Sequence, residues 1–590
     1  MKLLDHYQIL VQSFKQQNKD IPITLPSLSE KLSCSIRNTK IVIRRLEEIG
    51  WIAWVPGKGR GNYSKIKLLA NLDKLVIDEA MQLVGMKTID ESIAHVKSYG
   101  VSHQQQQEFI HWLFFTYSRQ QQDYQSGMDQ LHFPSYRPLP ILDPNLVNRR
   151  SENHVMRHLY NQLIKYDEKR NEHVPELAHH WEHNDDYSEW LFHLRKGVSF
   201  HDGTELTAAD VCYSFKRLQS PNSAYQWIVA LMKSVTAVSP YKVKFTFQRS
   251  IPNFLHAVSS LGGSIVKNGS CDKNNLLPIG TGPFKVVENS SDKLTLEAFD
   301  PYFHTRPHLD RITMYFFPEL YDNQKMLGEA DDDRINFYQY PYQTATSTDF
   351  NQVTVIDRGS KVLSLNRKRG ILSRDTMLRE AIFHVLNPND LIDELKGNRF
   401  TPASRMVSGE ETDHSLVRDS SIGRDCLKKS NYNGEVLQLY SYTGAGNEQD
   451  AGWMKKRLHE MGINIELHIL PYDQLYKLLL GEISDLLLGE QLADENIAYM
   501  YMAAFQGSHS LLSHHLAEQD KQGIATLISQ NQTEKEFISS LKQVEERLCN
   551  QYGHIHIYRL KQYAIYPDYV EDIHINALGW VDYTKLWYNK

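Results

Sequence analysis

Apolar residues at the start of the chain recur with the spacing of one helical face between Leu3 and Phe14, with polar residues between them. This pattern predicts an amphipathic helix. Pro26 then interrupts the pattern. Ser27 is predicted to cap a short helix, because Glu30 lies three residues later and completes a capping box. The chain is therefore expected to open with a longer helix followed by a short one.

A third helix, capped by Ser35 and ending at Gly50, is predicted to carry two different faces. Its apolar face comprises Val42, Ile43, Leu46 and Ile49. Its basic face comprises Arg37, Lys40 and Arg44. An alternating strand, a glycine-rich tip and a return strand follow over residues 51–68 and predict a hairpin. This order of elements is that of a winged helix-turn-helix, which we predict for residues 1–70.

Positive charge is concentrated in this N-terminal segment. Residues 27–70 contain nine lysines and arginines against three glutamates, a net charge of +6, whereas the whole chain carries −6. A local excess of this kind binds nucleic-acid phosphates. The residues predicted to bind double-stranded DNA are Ser35, Arg37, Asn38, Lys40, Arg44, Lys58 and Arg60. The alternative is a solvated basic face that binds a protein partner.

Residues 71–131 are rich in glutamine and are predicted to form a helical connector. Within it, residues 109–118 are strongly apolar and aromatic. Such stripes most often lie in a core, so packing against the winged domain is favoured over a dimer face. A homodimer stays open as an alternative, because a winged helix binds DNA as a monomer or as a dimer.

From residue 132 to the end of the chain, strand-like runs alternate with helical segments. A mixed α/β region of this length is expected to form more than one lobe. Thr207 and Asp210 are predicted to form a capping box at the start of one helix. His201 and Asp202 are adjacent, but turn and capping chemistry accounts for them better than catalysis does.

Several kinds of chemistry are not predicted. The five cysteines form no CxxC pair and the chain has no HExxH motif, so no metal site is expected. No GxSxG elbow or GxGxxG turn is found, and we predict neither an enzyme nor a cofactor. Polar residues interrupt the N-terminus, so it does not read as a secretory signal, and no apolar run reaches about 18 residues. A cytoplasmic protein without a membrane partner is therefore expected.

Several segments of the α/β region resemble the family 5 bacterial extracellular solute-binding proteins. These segments are 136–167, 174–182, 192–218, 278–286 and 378–395. The most specific is FHLRKGVSFHDGTELTAADVCYSFKRL, at 192–218. A winged helix ahead of such a domain resembles the SgrR family of transcriptional regulators, which are associated with sugar-phosphate stress and sugar transport. The resemblance implies a multidomain protein, an α+β winged helix-turn-helix followed by a two-lobed α/β domain of the periplasmic-binding-protein type (type 2, family 5) over residues 132–590.

The resemblance also implies a small-molecule solute held between the lobes, which would be a sugar, a sugar phosphate or a peptide. In oligopeptide-binding relatives a Gly-Trp-x-Ala-Asp segment supplies an aspartate for the ligand's amino group. GEQLADEN (489–496) resembles that segment without its tryptophan and places Asp494 at the aspartate. Asn366 and Tyr442 are further ligand-binding candidates. The chain is expected to cross between the lobes near 366 and again near 550.

Three functions remain open on this basis. The first is a ligand-responsive transcriptional regulator, in which closure of the lobes changes how the winged helix is presented to DNA. The second is a binding protein associated with transport and without a regulatory role. The third is an enzyme, which no motif supports. The basic N-terminal segment favours the first.

Overall fold

The computed structural model describes residues 2–57, 62–86, 88–113, 127–135, 137–270, 277–317, 350–407, 418–567 and 569–589. These residues divide into two compact units, one comprising the described residues up to 113 and the other those from 127 onwards. Among the helices described, none is long and apolar enough to cross a membrane.

The first unit begins with a winged helix-turn-helix. Its elements are α1 (Leu3–Phe14), β1 (Ile21–Ile23), α2 (Leu25–Lys31), α3 (Ile36–Glu48), β2 (Ile52–Val55) and β3 (Ser64–Leu68). The three strands form an antiparallel sheet in the order β1-β3-β2. The helices cover a core whose fully buried members include Tyr7, Leu28, Leu46 and Ile66.

Two local predictions for this unit need correction, and one strand was missed. The cap of α2 is Thr24, whose Oγ1 accepts the N–H of Ser27 at 3.3 Å, because Pro26 fits the first turn of a helix and does not end it. Strand β1 was not predicted, since three residues carry too short a pattern to reveal a strand. Ile49 caps α3 and is exposed, so it does not belong to the buried face.

The predicted connector is helical over α4 (Leu72–Met86), α5 (Ile89–Tyr99) and α6 (His103–His111), and it belongs to the same unit as the winged helix. The Tyr7 hydroxyl donates to the Ala70 carbonyl at 2.7 Å, which links α1 to the start of the connector. Phe109, Ile110 and Leu113 are buried, which supports the packing interpretation. Residues 114–118 of the aromatic stripe lie outside the described residues.

The first half of the second unit contains two four-stranded sheets in the orders β7-β8-β10-β9 and β11-β12-β13-β4, and one β5-β6 pair. The elements are β4 (Gln130–Ser135), α7 (Arg150–Leu159), β5 (Ile164–Asp167), β6 (Glu172–Pro175), β7 (Ala178–His183), β8 (Glu189–Leu194), α8 (Ala208–Arg217), a 3₁₀ turn (Gln226–Val229), β9 (Met232–Ser239), β10 (Lys242–Phe247), α9 (Phe254–Val258), a second 3₁₀ turn (Leu261–Gly263), β11 (Phe284–Asn289), β12 (Lys293–Ala298) and β13 (Arg311–Phe316). The predicted capping box of α8 is confirmed, because the Thr207 N–H donates to Asp210 Oδ2 at 2.8 Å.

The second half is built on a five-stranded sheet in the order β18-β17-β19-β15-β20. The elements of this half and of its connections are β14 (Phe350–Ile356), β15 (Ser360–Leu365), α10 (Gly370–Arg374), α11 (Thr376–Val385), α12 (Pro388–Leu395), β16 (Arg399–Pro402), α13 (Ser420–Lys429), β17 (Leu437–Tyr442), α14 (Asn447–Glu460), β18 (Ile465–Leu470), α15 (Tyr472–Leu475), α16 (Leu480–Ile483), β19 (Leu486–Gln491), α17 (Ile497–Gln506), α18 (Leu511–His515), α19 (Glu518–Ile528), α20 (Glu534–Asn550), β20 (His554–His556), β21 (Tyr558–Pro567), β22 (Val570–Glu571) and β23 (Trp587–Tyr588).

The two halves are joined by an antiparallel ribbon of β14 and β21, with Phe350 opposite Pro567 and Ile356 opposite Lys561. The chain then returns to the first half, because Trp580 and Tyr583 lie in the same core as Phe133. The crossing segments are thus β14 with residues 357–359, and β21. The sequence placed the first crossing near 366, but that position lies at the far end of β15, inside the second half.

Candidate functional sites

Helix α3 and its N-cap present five of the predicted DNA-binding residues to solvent. The Ser35 Oγ accepts the N–H of Asn38 at 3.3 Å, which confirms Ser35 as the N-cap and fixes where the helix begins. The side chains of Arg37, Asn38 and Lys40 follow within the first two turns and are exposed. Because Val42 lies on the buried side of the same helix, these polar residues are held on its outer surface.

Arg44 lies on the same surface but is already paired. Its Nε is 2.7 Å from Glu48 Oε1, and both side chains are largely exposed. Glu47 has a different task, since its Oε1 accepts the N–H of Trp54 at 3.3 Å and ties the wing to the helix. Lys58 and Arg60, at the tip of the wing, lie outside the described residues.

Two exposed apolar residues were missed by the sequence reasoning. Ile36 and Ile41 are 47% and 46% exposed, beside the polar residues of α3. An exposed aliphatic side chain on a recognition helix is suited to contact thymine methyl groups in the major groove. Their positions on the helical wheel, outside the buried stripe, are the signal that identifies them.

In the second unit, the two halves meet at the carboxyl ends of three neighbouring strands. Strands β17, β18 and β19 run parallel, so their carboxyl ends lie at one edge of the sheet. Tyr442 ends β17 there, and Tyr472 and Asp494 follow β18 and β19. The first half contributes the start of helix α7 to this edge. Ligands of open α/β sheets bind at such an edge, where parallel strands end. We refer to this region as the inter-lobe interface.

Arg149 is the cation of this interface that is not paired with a carboxylate among the described residues. Its guanidinium lies 5.0 Å from the ring centroid of Tyr472 and 5.8 Å from that of Tyr442. The only hydrogen bond described for its guanidinium is to the Thr443 carbonyl, and at 3.4 Å this is long. Burial raises the pKa of Tyr442 to about 12, so its hydroxyl stays protonated. Tyr442 therefore lies at the interface, and its role in ligand binding stays a prediction.

Arg150, the next residue, is buried and paired with two acids. Its Nη2 lies 2.6 Å from Asp357 Oδ2 in the first crossing segment, and its Nε lies 3.5 Å from Glu490 Oε2 at the end of β19. Nη1 donates to the Leu578 carbonyl at 2.6 Å. Burial disfavours the charged guanidinium, but the two carboxylates outweigh it and raise the pKa of Arg150. This residue joins both halves to the crossing segment.

Asp494 is engaged by a cation from the protein itself. The Arg157 guanidinium of α7 donates to Asp494 Oδ2 at 2.7 Å and to Glu495 Oε2 at 2.6 Å. Burial raises the pKa of Asp494 to about 6, although Arg157 acts to lower it. Arg157 therefore occupies the position at which the family resemblance placed a ligand's amino group.

Asn366 has a structural task instead of a place at the interface. It is completely buried, and its amide donates to the carbonyls of Gly481 at 3.0 Å and Ser484 at 2.8 Å. Its Oδ1 accepts the N–H groups of Lys368 and Arg369. With its donors and its acceptor used by the backbone, the side chain stabilises the turns after β15 and α16, and we no longer propose it as a ligand contact.

A cavity of about 460 Å³ lies beside the interface, between Trp227 of the first half and residues 478–525 of the second half. Lys368 and Lys521 line it, and Lys368 pairs with Glu482. Its wall includes Ser508, and the adjacent His509 stacks on Tyr476 and approaches Tyr472, whose ring contacts Arg149. Its volume falls within the range of small-molecule sites.

Two family models match the chain in series. The model for the sugar transport-related sRNA regulator N-terminal domain matches residues 2–113. The model described as bacterial extracellular solute-binding proteins, family 5 middle, matches residues 172–510, which is more than half of the chain. The boundary between the two matches agrees with the division into two compact units.

Among similar proteins, YhjP of Bacillus subtilis (strain 168) is 26% identical over the full length of both chains. The HTH-type transcriptional regulator SgrR of Yersinia enterocolitica is also 26% identical, over 96% of this chain and 95% of the relative. Among solved structures, a dipeptide-binding protein from Pseudoalteromonas sp. SM9913 in complex with Met-Leu covers 78% of this chain and all of its own, with a TM-score of 0.64 and 16% identity. The last likeness shows the fold of the larger unit.

Proposed function

Because the chain belongs to the family 5 bacterial extracellular solute-binding proteins and carries an SgrR-type domain ahead of the solute-binding domain, we propose that it is a ligand-responsive, DNA-binding transcriptional regulator. The winged helix binds double-stranded DNA and the two-lobed domain senses a small solute. The observation that carries this proposal is the exposed basic surface of α3 in a winged helix-turn-helix fused to a sensor-like domain. A regulator of this kind acts in the cytoplasm.

On the DNA side, Arg37, Asn38 and Lys40 are the residues proposed to enter the major groove, because the first turns of a recognition helix contact base edges. Ser35 stays with the helix cap, where its hydroxyl can also reach a phosphate. Arg44 lies farther along α3 and is suited to phosphate contact once it leaves Glu48. Lys58 and Arg60 remain the proposed contacts of the wing.

Salt-dependent DNA binding tests this part of the proposal. The full chain is titrated onto a fluorescent duplex from about 50 to about 200 mM salt, and each cation that binds a phosphate contributes about 1 to the slope of log affinity against log salt. Arg44→Ala is expected to weaken binding and lower the slope, whereas Arg37→Ala and Lys40→Ala are expected to weaken binding and relax the sequence preference. Arg170→Ala, an exposed arginine of the other unit, is the matched control and should leave the slope unchanged.

Two results would contradict the proposal. One is a chain that does not bind duplex DNA even at the lowest salt. The other is a slope and affinity that stay the same in the Arg37→Ala, Lys40→Ala double variant. Binding that survives with altered sequence preference supports base contacts over phosphate contacts for these residues.

On the sensor side, the proposed ligand is a small solute, a sugar, sugar phosphate or peptide, that is held between the two halves. Arg149 lacks a carboxylate partner among the described residues, and Lys521 lines the neighbouring cavity. These cations favour the anionic members of this set, a sugar phosphate or a peptide carboxylate. Arg157 already pairs with Asp494. We therefore propose that Asp494 mainly helps to close the lobes, and that binding an ammonium group of the ligand is its secondary role.

A thermal-shift screen of the full chain with sugars, sugar phosphates and short peptides tests the ligand class. A ligand that binds only the folded protein raises the unfolding midpoint. Phosphorylated sugars or peptides with a free carboxylate are expected to raise it, and Arg149→Ala is expected to abolish the shift. Arg170→Ala again serves as the control. A shift that only neutral sugars produce, or one that Arg149→Ala leaves intact, contradicts the assignment of Arg149.

Regulation requires that the ligand bind one arrangement of the protein better than the other, since only a difference in affinity shifts the equilibrium. A second candidate function is solute binding without regulation, which the fold shared with a dipeptide-binding protein favours. The DNA titration separates the two candidates, because a transport-associated protein has no reason to bind duplex DNA with a steep salt slope.

A further inference from the structure

Three potential metal ligands meet near the crossing between the two halves of the solute-binding unit. Glu545 and Cys549 lie four residues apart on one face of α20, and His556 lies in β20. The intervening chain reverses at Tyr552, whose φ of 52° is left-handed, and this brings β20 back along the helix. One ligand atom from each of the three residues lies within 4.8 Å of the others.

His556 presents one ring nitrogen to this cluster. Its Nδ1 lies 2.8 Å from the Ser360 hydroxyl, which fixes the orientation of the ring. Its Nε2 is buried, lies 3.4 Å from Glu545 Oε1 and is without a hydrogen-bond partner. A buried imidazole nitrogen without a partner is uncommon and calls for an explanation such as a bound ion.

Glu545 is held in place by neighbouring groups and keeps free lone pairs. The Tyr501 hydroxyl donates to its Oε2 at 2.6 Å, and the backbone N–H of Met406 donates to its Oε1. Contacts of this kind orient a carboxylate that binds a metal. A cavity of about 20 Å³ borders Cys549 and His556. This is the space that one water molecule or ion needs.

We propose that Glu545, Cys549 and His556 form a site for a single Zn²⁺ ion. A thiolate, an imidazole and a carboxylate are the ligands that zinc takes in proteins, and three protein ligands leave a fourth position for water. Zinc binds the Cys549 thiolate, and the thiol proton leaves to solvent. The thiolate and the carboxylate together balance the charge of Zn²⁺, so the loaded site is neutral.

The electrostatic surroundings agree with a neutral loaded site. Arg405 and Arg559 lie near these groups, and their positive charge would oppose an ion that was not neutralised by its ligands. Two anionic ligands are therefore a requirement of this site, which makes Cys549 its most informative residue.

The position of the site links it to the connection between the halves. Ser360 follows the first crossing segment, and His556 lies two residues before β21, which is the second. An ion held here joins α20 to β20, and the hydrogen bond between His556 and Ser360 connects the site to the end of the first crossing segment. The sequence search missed the site because it considered paired Cys/His spacings, whereas here the ligands follow the pattern Glu-x3-Cys-x6-His.

Metal titration of the full chain tests the proposal. After dialysis against a chelator, Zn²⁺ is titrated in competition with a chromophoric chelator, and Co²⁺ is titrated as a spectroscopic substitute. We expect one equivalent of each ion to bind, Zn²⁺ to raise the unfolding temperature, and Co²⁺ to give a thiolate-to-cobalt charge-transfer band. That band distinguishes this site from adventitious binding to the 26 histidines of the chain.

Cys549→Ser is expected to remove the band and weaken binding at least about tenfold. Cys426→Ser, at a buried cysteine elsewhere in the same unit, is the control and should retain both. Circular dichroism checks that both variants fold, and His556→Gln provides a second disruption. The proposal is overturned if the wild-type chain binds no stoichiometric metal, or if the band persists in Cys549→Ser.

Discussion

The arginines of α3 and those of α7 use the same side chain in opposite ways. Arg37 lies on the surface of the winged helix, exposed to solvent. Arg150 lies at the inter-lobe interface, buried between Asp357 and Glu490. An exposed guanidinium keeps its hydration until a phosphate replaces it, whereas a buried one depends on its carboxylates for its charge. Burial and pairing therefore tell the two proposed roles apart better than residue type does.

Replacing Arg150 with methionine is expected to have the largest effect on stability. It leaves the Asp357 and Glu490 carboxylates buried without their cation, and breaking such a pair costs about 3–5 kcal/mol. Urea unfolding of the full chain measures the loss. Arg37→Met is the control and should change the unfolding free energy by less than about 0.5 kcal/mol.

A double variant sharpens this test. Adding Asp357→Asn to Arg150→Met removes one of the two unpaired buried carboxylates, so it should recover part of the lost stability. If the single Arg150→Met variant is as stable as Arg37→Met, the interface does not depend on this arginine. Burial and pairing then do not distinguish the arginines of α7 from those of α3.

A smaller effect is expected at Asp494, and it depends on pH. Burial raises its pKa from 3.8 to about 6. At a pH between these two values, the folded state keeps a proton that the unfolded state has released. Its contribution to stability is thus fully present below pH 3.8 and is lost as the pH rises through about 6. The unfolding free energy of the wild type relative to Asp494→Asn should fall by about 1–3 kcal/mol over this window.

Asp473→Asn provides the control for that measurement, because Asp473 is an exposed aspartate near the same interface. This variant removes one exposed aspartate charge, so it separates the effect of losing a charge from the effect of burying one. If the unfolding free energy of the wild type relative to Asp494→Asn rises with pH instead, the prediction is wrong. Arg157 then lowers the pKa of Asp494 by more than burial raises it.

The smallest effect is expected at Glu48, the partner of Arg44. Exposed pairs four residues apart in a helix are worth about 0.3–0.5 kcal/mol, so releasing Arg44 should tighten DNA binding about twofold. Fluorescence anisotropy at low salt measures the change in Glu48→Gln. Glu30→Gln alters the net charge equally without breaking this pair, and an equal gain in that variant would assign the effect to charge alone.

The extent to which the sequence could predict the structure depends on how local each interaction is. Ser35 caps α3 and Thr207 caps α8 as predicted, because both motifs are completed within three residues. The cap of α2 is Thr24 and not Ser27 as predicted, because proline is compatible with the first turn of a helix as well as with its end. Because a helix cap is completed within a few residues, an error in predicting its position also spans only a few residues.

The inter-lobe interface was predictable only in part. Tyr442 ends β17 at the edge where ligands bind in such sheets, so it stays a ligand-binding candidate. Asn366 also ends a strand, but β15 runs in the opposite direction to its neighbour β19, so its end lies at the other side of the sheet. Strand direction is a property of the sheet and is not encoded in the strand itself.

By itself, the sequence determined the order of the winged helix elements, the concentration of positive charge in them, and the family of the larger domain. These follow from periodicity, composition and motifs, each of which is contained in a short stretch of chain. Only the tertiary structure decided that Arg157 pairs with Asp494, 337 residues away, and that Arg149 lacks such a partner among the described residues. Pairing depends on which surfaces the fold brings together, and the cost of burying an unpaired charge then selects the partners.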